Sequence, residues 1–539
     1  MMGFPIGKNC MEKLLPYYEC ELSLLRGRLR DVARRFPRLA ELFGLSGERC
    51  SDAGVERLVQ VAAFLYARLV RKIERGHQRF TIDLLSNQTP FYLRPIPACS
   101  VIQVDGTGGP ATAAFPRGTE LHAKAAAGCG FRTAYDVAIA PITVSVRFTP
   151  RGEAPGTAGL PKDVGCGIAI TIETTDPSVT LEVAAVSPLR IFIDAEGPAR
   201  TALQDAIFMH TLCTCVESGG EWRKLPALPF TLPGFARTEA LLPTPWNQEE
   251  SLRLLTEYFA FPEKFDFVDI DLKAALAACP AGTRRLALHV LLPDMHHTTM
   301  PNLLRMLPPT ALRLGCTPVI NMFSRPAAPI RLRKGRNTYP LTFQRSSGAD
   351  TTVYSIDAMR LLHDAQGGGA AIDMEWFYHR KFATQHCWVF ELADAVDGTQ
   401  DTVSLVNRMH EPLDLGEGSV AVQVTCTNGD LPCAMAIGRV DGDLADSELV
   451  GSAPIRMLRK PSAQLSIADE PEGHWHLIAI AHASNRDRAQ YHLPALLDLL
   501  RMHARPDSAV AARQLAGIVG VSRRVVPVCC AWHSMRACH

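Results

Sequence analysis

EYFAFPEKFDFVDID, from Glu257 to Asp271, places four phenylalanines and a tyrosine within fifteen residues of a chain that is 7% aromatic overall. Tyr258, Phe259 and Phe261 lead up to Pro262, whose missing N–H and fixed φ interrupt regular structure. Beyond it, Phe265 and Phe267 alternate with Asp266 and Val268, the period of a strand with one buried face. Upstream, Leu252 and Leu255 stand at helical spacing. The stretch predicts a helix that runs into an aromatic corner and leaves as a strand. A buried phenylalanine contributes roughly 1.5–3 kcal/mol. Tyr258, Phe259, Phe261, Phe265 and Phe267 are therefore expected to anchor a core, as packing residues rather than catalysts.

The surrounding chain has 539 residues, is 47% hydrophobic and 21% charged, and carries a net charge of +1. That composition is globular, and its length suggests several domains. A near-neutral chain has no global field to attract nucleic acid or an anionic membrane. No run approaches the roughly 20 apolar residues of a membrane span, and the N-terminus lacks the apolar core of a secretory signal. The sixteen cysteines are scattered. Cys166, Cys316, Cys387 and Cys426 fall in apolar, strand-like runs where a thiol packs as a small hydrophobe. The expectation is reduced thiols in a cytosolic chain.

Residues 1–97 read as a helical domain. Tyr18, Leu22, Leu25, Leu29 and Phe36 belong to a seven-residue repeat. Pro37 opens a short second helix. Asp52 caps a third, predicted to end near Arg75. This third helix has two apolar faces, one with Val55, Leu58, Leu65 and Leu69, the other with Val59, Ala63, Tyr66, Val70 and Ile73. A helix apolar around most of its circumference needs neighbours on most sides, and the block offers few. The expected cover is another subunit, with Tyr18, Leu22, Leu25, Leu29, Phe36, Val55, Leu58, Leu65 and Leu69 as interface residues; later parts of the chain are the alternative.

Short strands broken by Gly and Pro then suggest mainly antiparallel β modules with interspersed helices, at residues 98–314 and 315–480. A helical segment at 481–526 and an anomalous tail at 527–539 follow. The fold class is α+β. In the run Gly315 to Leu332, Asn321 is the odd polar residue of an apolar strand that also carries the expected core residue Phe323; buried, it must find hydrogen-bond partners. Asn428-Gly429 signals a tight turn.

Chemistry-bearing motifs are thin. Gly106 to Pro110 lacks the Lys-Ser/Thr ending of a phosphate loop. Cys213 and Cys215 have no second pair, and His296-His297 sit in a polar turn. His386 and Cys387 are strand neighbours pointing to opposite faces. The tail's Cys529, Cys530, His533, Cys538 and His539 are zinc-ligand types without a frame to hold them. Arg331, Arg333, Lys334 and Arg336 lack interleaved aromatics, which favours a solvated loop or protein interface over a nucleic-acid site. No catalytic set, cofactor or metal is assigned.

Several segments resemble one family. These are Tyr17-Tyr18 with Glu21-Leu22 and Leu25-Arg26, Val55 to Ile73, Pro90 to Pro95, Phe115 to Leu121, Phe131 to Asp136, Tyr258 to Ile270, Gly315 to Leu332, Thr425 to Pro432 and Trp475 to Ile478. Together they resemble TssF, a baseplate subunit of the bacterial type VI secretion system. The resemblance implies a structural wedge protein that is not an enzyme. Its implied partners are TssG, a second TssF copy, TssK, TssE and the VgrG spike hub. It also implies a platform for sheath and tube assembly, at the inner face of the inner membrane without insertion into it. Family members continue beyond this chain's ending, so a truncated or frameshifted product is expected, and a non-functional remnant is the alternative. A zinc hydrolase is a more remote one.

Overall fold

The computed structural model describes residues 14–42, 44, 52–88, 90–105, 113–150, 160–161, 163–184, 187–243, 250–295, 297–343, 351–362, 371–378, 385–391, 401–446, 454–466, 473–479, 493–505 and 508–522. Helices and mainly antiparallel sheets share the chain, an α+β fold.

Helices Leu15–Arg35 and Ala53–Gln88 lie side by side as an arm. Asp52 caps the second through its carboxylate, which accepts from the Gly54 and Val55 amides at 2.6 and 3.2 Å. Arg26 and Glu56 join the pair at 2.5 Å. The long helix continues past Arg75, where the sequence pattern predicts its end. Gly76 costs about 1 kcal/mol of helix propensity, but Thr81 and Leu85 are buried roughly one and a half and two and a half turns later and carry the helix on. Leu85 and Tyr92 meet Leu252, Leu477, Ile478 and Leu499 in one apolar cluster. The Tyr92 hydroxyl and His503 Nε2 are 2.9 Å apart. Burial holds the His503 pKa below its ordinary value. The base of the arm is thus packed against residues 474–478 and helix Leu493–His503.

Six strands close a barrel, in the order Cys99–Val104, Cys316–Ile320, Gly130–Thr133, Glu120–Ala123, Leu444–Asp446 and Ile455–Met457. They come from both sides of residue 314, so a cut there would divide the barrel. The first strand is buried on both faces. Val101 points to a junction with other modules, while Ile102 and Val104 point into the barrel core. Gly315 has φ +69° and lies so close to the Val104 carbonyl that a Cβ would sit 2.7 Å from its oxygen, a position that only glycine fills without strain.

Two sheets sandwich a second core. One has five strands, ordered Glu221–Lys224, Cys213–Ser218, Arg285–Pro293, Val164–Thr174 and Ile142–Pro150. The other has four, ordered Phe230–Thr231, Phe267–Ile270, Leu189–Ile193 and Leu312–Arg313. Helices Gly197–Phe208 and Met300–Arg305 pack with them, burying Leu203, Ile207 and Leu304. A third module is an eight-stranded sheet around Gly418–Thr427 and Thr352–Leu362. Its pairing is antiparallel except between Ile372–Trp376 and Cys387–Glu391. After Thr427 the chain turns at Gly429, with φ +57°, into helix Leu431–Ala434 rather than into the second strand of a hairpin.

Candidate interaction surface and the buried junction

The aromatic stretch lies where the barrel, the sandwich and the eight-stranded sheet meet. Phe261 and Phe267 join Tyr135, Phe192, Ile320, Met322 and Tyr354 in one cluster. Phe267 packs against Tyr135 edge-on at 5.3 Å and against Phe192 at 4.9 Å. The local structure departs from the sequence pattern. Helix Glu250–Ala260 leads into a 3-10 turn, Pro262–Phe265, and the strand begins only at Phe267. All four residues of Phe267–Ile270 are buried, so the expected alternation is absent, because this strand is flanked on both edges and covered on both faces. Phe265 is buried and Phe259 half-buried. Tyr258 is not a core residue. It is 37% exposed, and its hydroxyl accepts a 2.8 Å hydrogen bond from Gln514. The inward face of this helix is Leu252, Arg253, Thr256 and Glu257, and Tyr258 is turned about 100° away from Glu257.

That inward face is charged, and hydrophobic periodicity gave no sign of it. One carboxylate oxygen of Glu257 accepts from the Leu241 and Leu242 amides, each at 3.0 Å. The other accepts from Arg253 at 2.8 Å and from the Lys264 ammonium. Lys264 also donates to the Gly234 carbonyl at 2.8 Å, and its own carbonyl accepts from the Tyr135 hydroxyl at 2.9 Å. Both Glu257 and Lys264 are essentially without solvent exposure. Burial holds the Lys264 pKa below the usual lysine value, opposed by Glu257. Next to this cluster, Arg190 forms a bidentate pair with Asp269 at 2.8 and 2.7 Å and reaches Glu239. Its guanidinium stacks 4.5 Å from the centre of the Tyr135 ring. Each charge is matched, so the junction works as a clamp between modules. The signal available in the sequence was the pair of charges, Glu257 and Lys264, embedded seven residues apart in the most aromatic stretch of the chain.

A second polar knot ties the barrel to the eight-stranded sheet. Asn321 is fully buried. Its amide donates to Asn428 at 2.9 Å and to the Gly130 carbonyl at 2.6 Å. Its oxygen accepts from the Thr427 hydroxyl at 2.8 Å and the Asn428 amide at 2.7 Å. Phe323 is buried against Gly130, where an added Cβ would lie within 3.0 Å of the ring.

Groups with chemical potential are engaged otherwise. Cys213 and Cys215 lie buried on one strand, and burial pushes the Cys215 thiol up to about 11. His289 stacks on Trp222 at 3.8 Å and contacts Glu217 at 2.7 Å. Cys387 is buried in its strand. Arg336 lies 5.4 Å over Tyr339, which follows the basic cluster and whose hydroxyl accepts from the Arg333 amide. This is a tight turn braced by a tyrosine. Among the described residues, no group of three or more His, Cys, Asp or Glu side chains is placed to hold a metal. Gly106 to Pro110, His296, the glycines at 367–369 and the tail from 527 lie outside the described residues. An open groove of about 1080 Å³ runs between barrel and sandwich, with Arg117, Arg190, Glu239 and Arg313 along it. Arg190 is committed to its two carboxylates, and Arg313 pairs with Asp194 at 2.5 Å.

The arm is the opposite of the junction. Tyr18, Leu22, Leu25 and Leu29 are half-buried, on the side of their helix that meets the long one. Val55 is half-buried as well, whereas Phe36 is exposed. The inner face of the long helix is Ala63, Ala67, Thr81 and Leu85. Leu58, Leu65 and Leu69 stand 70%, 56% and 51% exposed, and Val61, Tyr66 and Ile73 are exposed with them. No helix among the described residues is long and apolar enough to cross a membrane.

The model of the family described as "Type VI secretion system, TssF" matches residues 10–534. The chain belongs to the TssF family. The match reaches into the tail that the sequence pattern set apart. Type VI secretion system component TssF1 of Pseudomonas aeruginosa is 25% identical over 95% of this chain and 87% of its own length. Among solved structures, a chain of the TssK-TssF-TssG baseplate subcomplex superposes with a TM-score of 0.64 at 25% identity, covering 86% of this chain and 84% of that one. A chain of a type VI baseplate complex shares the fold, with a TM-score of 0.54 at 21% identity over 93% and 85% of the two chains. TssF proteins are structural components of the type VI baseplate, and this TssF chain is one of them, not an enzyme.

Proposed function

We propose that this TssF subunit builds the baseplate wedge by docking its helical arm on TssG, beside a second copy of itself and TssK. The wedge in turn joins TssE and the VgrG spike hub, forming the platform on which sheath and tube assemble. It reaches the inner face of the inner membrane through its partners. The observation that carries this reading is the exposed leucine face of the arm, Leu58, Leu65 and Leu69, on a chain whose relative has been solved together with TssK and TssG. The buried charges and the Asn321 knot tie the three modules together, and the arm offers them an apolar handle. The charge balance of +1 leaves nucleic acid without an electrostatic footprint.

Co-expression with TssG from the same genome, followed by mass determination of the purified complex, tests the reading. Two copies of this chain per TssG, lost in Leu65→Asp, is the expected outcome. A complex that survives Leu65→Asp unchanged removes the arm from the interface.

A further inference from the structure

The exposed face of the long helix does not end with its leucines. At 100° per residue, Leu58, Leu65, Leu69, Ile73 and Phe80 fall within about 80° of one another. All five are more than half exposed. They trace a line about 33 Å long at 1.5 Å per residue. At its far end stands a residue from nearly four hundred positions later. Trp475 is 49% exposed, with its ring centre 6.3 Å from that of Phe80. Its placement is fixed from beneath. His474 is buried, its Nδ1 3.1 Å from the Thr81 hydroxyl, while Leu477 and Ile478 sink into the cluster holding Leu85. Thr81 and His474 point inward, and their neighbours Phe80 and Trp475 are left at the surface side by side. Leaving two large aromatic rings in water forgoes burial that either could have had, and aromatic anchors at the end of an apolar stripe are what a bound helix uses as its fixed point.

One flank of the stripe is positively charged. Arg57, Arg68 and Lys72 fall roughly 40–100° to the same side of Leu58, and all three are exposed. None of them forms an ion pair with another described residue. We propose that the arm and the Trp475 segment form one composite docking surface for a partner's amphipathic helix of six turns or so, acidic along one edge, with Phe80 and Trp475 as its aromatic anchor. The surface rests on the docking role proposed for the arm and makes it more specific. The segment carrying Trp475 contributes directly to the interface, and the occupant is chosen by charge as well as by apolar fit. Apolar contact supplies the affinity, and the cationic flank sets the orientation and the encounter rate.

The test uses the full chain with TssG and TssK from the same genome, and compares Trp475→Ala, the triple variant R57E/R68E/K72E and Leu65→Asp by pull-down and by titration at low and high salt. All these positions are exposed, so melting temperatures near that of the wild type should accompany the binding data. The expected result is that Trp475→Ala weakens the complex about tenfold or more, as removal of an aromatic anchor does. The charge reversal should weaken it at low salt and flatten its salt dependence. Wild-type binding by Trp475→Ala alongside loss in Leu65→Asp overturns the composite surface and leaves the arm's docking role standing. Wild-type binding by both variants overturns the docking role itself. A stable assembly of this chain alone that needs Trp475 and the cations, formed without TssG or TssK, would make a second copy the occupant and overturn the acidic partner helix.

Discussion

The arm and the junction are built from similar material and put it to opposite uses. Leu58, Leu65 and Leu69 are half exposed or more, although a leucine-rich helix reads as a core element. Glu257 and Lys264 are fully buried, although charged residues are almost never buried unless paired. The difference lies in partners supplied by the rest of the chain. The junction gathers the Leu241 and Leu242 amides, Arg253 and Lys264 around one carboxylate, and Lys264 donates in addition to the Gly234 carbonyl, so the buried charges face partners that replace water. Among the described residues, the outer part of the long helix packs against the arm's first helix on one face, and its leucine face stays exposed. Position along the chain has little to do with it, since Glu257 and Leu252 share a helix with one directed to the clamp and the other to the arm's base.

The comparison is broken most severely by Glu257→Ala. It leaves Lys264 as an uncompensated buried cation and Arg253 with only the half-exposed Glu250 at 3.2 Å, and removing one partner of a buried pair costs about 3–5 kcal/mol. Urea denaturation should show a loss of that size, and a variant as stable as wild type would mean that the clamp contributes nothing. Phe267→Ala opens a cavity between Tyr135 and Phe192 and should cost about 3–5 kcal/mol as well, without altering the charge pairs. A pH-dependent effect follows from Asp266, whose pKa burial raises to about 7 despite Arg200 at 2.9 Å. Its unfolded value is about 3.9. Between these values the folded chain holds a proton that the unfolded chain has lost, so stability falls as pH rises from about 4 to about 7. Asp266→Asn should flatten that slope in melting curves recorded across the interval. An unchanged slope would place the titrating group elsewhere. The smallest effect is expected on the arm, where Leu58→Ser should alter stability by no more than about 0.5 kcal/mol while weakening the assembly. A marked loss of stability in the isolated chain would show that this face is covered from within.

The sequence alone determined the α+β class, the helical opening, the aromatic anchor near Phe267 and the resemblance that the family match established. These depend on local period and on segment likeness, which a linear reading preserves. It misjudged Tyr258, because one residue further along a helix is a different direction in space. It ended the long helix at Arg75, because the contacts that sustain it beyond Gly76 come from the far end of the chain. The strand Phe267–Ile270 lost its alternation because it is covered on both faces, which no pattern within four residues can encode. Only the tertiary structure decided that Asn321 meets Asn428, that six barrel strands are drawn from distant parts of the chain, and that Phe80 stands beside Trp475. Each of these joins residues about 100 to 400 positions apart, and the free energy that selects them resides in the pairing, not in either residue by itself.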